Sequence, residues 1–140
     1  MKLFFVLLAL FPLCLCADEA SDRSSIQKVI AGLDESQSNS RKYFASDADP
    51  KEVERFLELQ RKMKNRAAGP WSEVTNPRIL IGAISFVTPE VALVDATIGQ
   101  VGSSYWRNDP VLFVIKKQGT EWRIAAVRAQ SGRPVIAPHQ

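Results

Sequence analysis

Histidine and cysteine are nearly absent from this chain. One histidine, His139, stands next to the C-terminus in a proline-flanked stretch, and the two cysteines, Cys14 and Cys16, lie close to the start. A Ser-His-Asp triad, a multi-histidine metal centre or a thiolate metal site therefore has almost nothing to be built from. Phosphate-cradling glycine motifs are missing too, since Gly99-Gln100-Val101-Gly102 lacks a third glycine and a helix after it. The formal charge of +3, from 18 basic and 15 acidic residues, is too small to mark a nucleic-acid surface. The one long apolar run, Leu3 to Leu15, falls short of a bilayer span. No cofactor, metal or nucleic-acid partner is expected.

What the start does carry is the pattern of an export signal: Lys2, the apolar run, then the small residue Ala17 before Asp18-Glu19. Cleavage after Ala17 would remove both cysteines, leaving a periplasmic or extracellular chain with no membrane span and no disulfide framework. Lipidation at Cys16 is a second possibility, disfavoured by the bulk of Leu15 before it, and an uncleaved anchor is a third. The remaining sequence, at 46% hydrophobic and 24% charged over the whole chain, suits one domain. That domain is placed at residues 18–132, with 133–140 as a loose tail.

Ser24 and Gln27 have capping-box spacing, and Ile26, Val29, Ile30 and Leu33 recur on one helical face, predicting a first helix from Ser24 to about Phe44. Asp49 and Pro50 are suited to the N-cap and first position of a second helix, with Glu52 completing a capping box. Val53, Phe56 and Leu57 form its apolar stripe, Glu58 and Lys62 are one turn apart, and Gly69-Pro70 ends it. Beyond Pro77 the pattern shifts to strands at Arg78–Val87, Val91–Val101, Val111–Lys117 and Trp122–Ala129. Short joins at Thr88-Pro89-Glu90 and Gln118-Gly119-Thr120-Glu121 predict antiparallel neighbours. Helices followed by strands give an α+β fold with the helices on one sheet face. Several strands are apolar on both faces, as in Val91-Ala92-Leu93-Val94 and Val111-Leu112-Phe113-Val114-Ile115, which predicts a second copy of the sheet as cover and hence a homodimer.

Three segments together carry a resemblance: Tyr43-Phe44-Ala45-Ser46-Asp47-Ala48-Asp49, Ile84 through Asp95, and Gly119 through Arg128. In order and spacing they resemble the SnoaL-like, ketosteroid-isomerase-like branch of the nuclear-transport-factor-like superfamily. The resemblance implies a cone: a curved antiparallel sheet wrapped around a helix, with an internal pocket and frequent dimerisation through the sheet. Such proteins usually place a hairpin before the second helix, whereas Asp49-Pro50 enters helix directly, predicting a cone open or shallow on that side.

Asp95 is the carboxylate of interest, because it stands mid-strand between Val94 and Ala96. Two readings are open. Pointing inward, it would be desolvated and suited to abstract a proton beside a carbonyl, with Arg128 as orienter and Tyr43 as hydroxyl donor. The isomerase relatives use an aspartate base in this way, although their full trio has no residue-by-residue match here. Alternatively, Asp95 and Arg128 form a structural ion pair across the sheet. For ligand contacts, Tyr105 and Trp106 could form a pocket rim, with Trp122 and Phe44 as further aromatic candidates and Trp71 closing the base. The function expected is binding of a small, mostly apolar ligand. A cofactor-independent isomerase, cyclase or hydratase, or an assembly module with a filled cone, are the alternatives.

Overall fold

The computed structural model describes residues 11–35, 39–67, 78–99 and 109–129. Helix α1 spans Phe11–Glu35, a 3-10 turn covers Ser40–Tyr43, and helix α2 spans Pro50–Ala67. Four strands follow: β1 (Arg78–Thr88), β2 (Val91–Gly99), β3 (Asp109–Gln118) and β4 (Glu121–Ala129). They pair antiparallel in the order β1-β2-β3-β4. The architecture is α+β, with two N-terminal helices packed on one face of a curved sheet, a cone-like arrangement.

The strand limits lie within a residue or two of those predicted, because proline and glycine punctuate the β-branched runs. Gly119 takes φ 66°, a left-handed conformation that other residues rarely adopt, and turns β3 into β4. At the β1–β2 turn, Glu90 N–H donates to Thr88 Oγ1 at 3.2 Å. The first helix departs from expectation at both ends. It starts at Phe11 and stops at Glu35 rather than running from Ser24 to Phe44. Where the description resumes at residue 39 the chain forms only a 3-10 turn at Ser40–Tyr43, and Ser and Asn are residue types that weaken a helix interior. Helix α2 begins as predicted: Asp49 Oδ1 accepts from the Lys51 N–H at 2.9 Å and the Asp49 carbonyl from the Val53 N–H at 3.1 Å.

The described interior is hydrocarbon. Ile26, Ile30 and Leu33 of α1 meet Val94, Phe113, Ile115 and Ile124 of the sheet, all at most 1% exposed. Phe56 of α2 lies edge-on to Phe113 with ring centroids 5.5 Å apart, and Phe44 lies edge-on to Phe56 at 6.4 Å. Phe44 also bridges to Ile124, and the Ala45 N–H donates to the Ile124 carbonyl at 2.8 Å, fastening the link between the helices to β4. Register shifts at Gly82 and Val87 in β1 and at Ala125 in β4 bend the sheet over this core. The opposite face is half-exposed and apolar at Leu93, Leu112 and Val114, with Leu80 at 45% exposure. Among the described residues no helix is long and apolar enough to cross a membrane.

Candidate functional site

A cleft of about 230 Å³ opens between α2 and β4, with Phe56, Leu59 and Val127 as its apolar surfaces. Phe56 and Val127 are buried core residues, so the cleft floor is continuous with the interior. Glu52, Arg55 and Arg128 form the charged rim. Glu52 accepts a hydrogen bond from the Arg128 guanidinium, while Arg55 has no acidic partner among the described residues. Glu52 is therefore more than the capping residue the sequence suggested. It sits on the inner side of the first turn of α2, its side chain 18% exposed, and holds Arg128 across the sheet edge.

A second, shallower recess of about 390 Å³ lies between α1, the 3-10 turn and the β3–β4 turn, and includes Val29, Tyr43 and Trp122. Tyr43 rests on α1 at Gly32. A β-carbon there would fall 2.4 Å from the Tyr43 hydroxyl oxygen and 2.5 Å from Cζ, so glycine is what admits the ring. Alanine at this position would gain about 1 kcal/mol of helix propensity. It would also evict a half-buried ring worth about 2 kcal/mol of apolar burial. Gly32→Ala is thus expected to lower stability by about 1 kcal/mol, with Tyr43 more exposed to solvent. Urea unfolding and tyrosine accessibility check this, and a stabilised variant would refute it.

The sequence candidates are dispersed. Asp95 is exposed on the outer sheet face, opposite the helices. Tyr43 is on the inner side, and Arg128 reaches round the β4 edge to Glu52. Asp95 and Arg128 occupy one outer row, each opposite Leu112, yet no ion pair joins them among the described residues, because the Arg128 guanidinium is turned to Glu52. Neither arrangement weighed for Asp95 is formed: it is not desolvated inside, and Arg128 has a different carboxylate. Trp122 and Phe44 are buried core side chains at 3% and 8% exposure, leaving little surface for a ligand. Tyr105, Trp106 and Trp71 lie outside the described residues.

Asp22 is a half-buried carboxylate that the sequence pattern did not single out. Its Oδ2 accepts from Lys117 Nζ at 2.8 Å and its Oδ1 from Trp122 Nε1 at 2.9 Å. Lys117 Nζ also sits 5.2 Å from the Trp122 ring centroid. Burial alone pushes the Asp22 carboxyl upward, but the two hydrogen bonds and the Lys117 charge together outweigh it and hold the group below its ordinary value. Next to it, Arg23 donates to the Ile84 carbonyl at 2.7 Å and lies over the Phe86 ring. The available signal was spacing: Asp22 precedes Ile26, Ile30 and Leu33 on the same helical stripe. Asp47, within the segment carrying the resemblance, is also held low by its hydrogen bond to Lys116. Among the described residues no group of three or more metal-ligating side chains is gathered.

No protein-family model matches the chain, and no curated protein matches it. Solved structures do. A protein of unknown function from Mycobacterium tuberculosis aligns with TM-score 0.57 and 13% identity, over 86% of this chain and 77% of that one. A protein from Catenulispora acidiphila aligns with TM-score 0.54 and 13% identity, over 84% of this chain and 94% of that one. These likenesses establish a shared fold.

Proposed function

We propose that this is an exported, SnoaL-like binding protein that works as a homodimer and takes a small, mostly apolar ligand at the α2–β4 cleft. The observation that carries the reading is the cleft: a floor of Phe56, Leu59 and Val127 beneath a rim holding the uncommitted Arg55. Its volume is below the ~300 Å³ lower end of ordinary ligand sites, which favours a molecule of a few carbons with one anionic group. Proton-transfer chemistry is the weaker alternative, because Asp95, Arg128 and Tyr43 do not converge. The contiguous apolar core supports a second reading as an assembly module, with the apolar outer face carrying the contact.

Native mass spectrometry of protein purified from its own host tests the parts together. A dimeric mass, subunits beginning at Asp18 and a retained small molecule are the expected results. Monomers overturn the dimer, and subunits retaining Met1 overturn processing. For the cleft itself, hexanoate serves as probe, with amide shifts expected at Phe56, Leu59 and Val127. Leu59→Lys should reduce its affinity about tenfold or more by placing an ammonium on the apolar floor. Absence of both a retained molecule and hexanoate shifts would leave the assembly reading in place of binding.

A further inference from the structure

We infer that the recess between α1 and the β3–β4 turn is a second site, for a small dianion of the phosphate type. Its lining brings together Lys28, Lys42, Tyr43, Thr120 and Arg123, with Glu121 as the sole carboxylate. Glu121 is already engaged by Arg123. Lys28 has no acidic partner among the described residues, and Lys42 has only the Tyr43 ring, 5.0 Å from its Nζ. The recess thus keeps two positive charges uncompensated while its one negative charge is neutralised.

The hydroxyls narrow the ligand class. Ser25 is satisfied internally, donating from Oγ to the Ser21 carbonyl at 3.0 Å. The Tyr43 and Thr120 hydroxyls have no hydrogen-bond partner among the described residues. The Tyr43 ring lies against α1 in the space that Gly32 leaves open. Two uncompensated ammonium charges match a dianion better than a singly charged carboxylate, and the two hydroxyl donors add to what a tetrahedral group with several acceptor oxygens can use. The site is separate from the α2–β4 cleft, and neither shares a residue with the other.

The test is titration with inorganic phosphate at about pH 8, where it is largely dianionic, at constant ionic strength and followed by amide shifts. Shifts are expected at Lys28, Lys42, Tyr43 and Thr120, saturating, with acetate bound more weakly. Lys28→Gln/Lys42→Gln should weaken phosphate about tenfold or more, since both charge-assisted contacts are removed. Both side chains are exposed, so the fold should survive. The charge-matched Lys51→Gln/Arg61→Gln, on the exposed side of α2, should bind as the parent does. The site is overturned if the double variant keeps parental affinity, if the control loses as much, or if acetate binds as tightly as phosphate.

Discussion

Phe113→Ala is expected to lower the unfolding free energy by about 3–5 kcal/mol, a large share of the ~5–15 kcal/mol that holds a domain of this kind together. Phe113 is fully buried on the central strand β3 and takes the edge of Phe56, which in turn takes Phe44. Removing its ring leaves a void that helices and sheet cannot both close, so transfer and cavity terms add. The midpoint of urea unfolding should fall with little change in slope. Phe113→Leu, which keeps most of the volume, should lose much less. The experiment also speaks to function. A hollow cone would tolerate the truncation, so a loss under about 1 kcal/mol would mean that the rings do not fill the interior and that the cleft is the mouth of a larger chamber.

Asp22→Asn is expected to cost about 1–3 kcal/mol near neutral pH, since it strips the charge that Lys117 faces and weakens the acceptor of the Trp122 indole N–H. Its pH dependence identifies the cause. The Asp22 carboxyl is held below its ordinary value in the folded protein, so the unfolded chain binds a proton there first as pH falls. The contribution is complete above about pH 5, begins to fade near the unfolded value of about 4, and is lost as pH falls through the lower folded value. Parent and variant should therefore differ most at neutral pH and converge in acid. Asp47 and Glu58 are also held low, but they are present in both proteins and cancel in the difference. Parallel stability curves from pH 7 to about 3 would remove Asp22 from the role assigned to it.

Much of the fold could be read from the residues. Prolines, glycines and the β-branched runs marked the four strands, and Asp49-Pro50 marked the start of α2. The direction of Asp95 could not be read, for a physical reason. Strand β2 is apolar in both phases, with Leu93 as hydrophobic as Val94, so alternation does not say which set faces inward. Burial of Ala92, Val94, Ala96 and Ile98 turns Asp95 outward. Arg128 was misdirected by the bulge at Ala125. Strict alternation puts it in phase with Trp122 and Ile124, but the extra residue makes Val127 the inward side chain and sends Arg128 out to the edge. Asp22 and Gly32 went unnoticed because their partners lie far along the chain or across a turn: Lys117 and Trp122 for the carboxylate, Tyr43 for the glycine.

The two irregularities in β1 have a bearing on how copies of this protein meet. That strand borders the sheet: one flank is bonded to β2, and among the described residues no strand pairs with the other, leaving a border that a stranger could join. A straight border of such β-branched residues would invite end-to-end polymerisation into fibrils. Kinks at Gly82 and Val87 break the spacing that a docking strand would need. Open-ended stacking along this rim is thereby disfavoured.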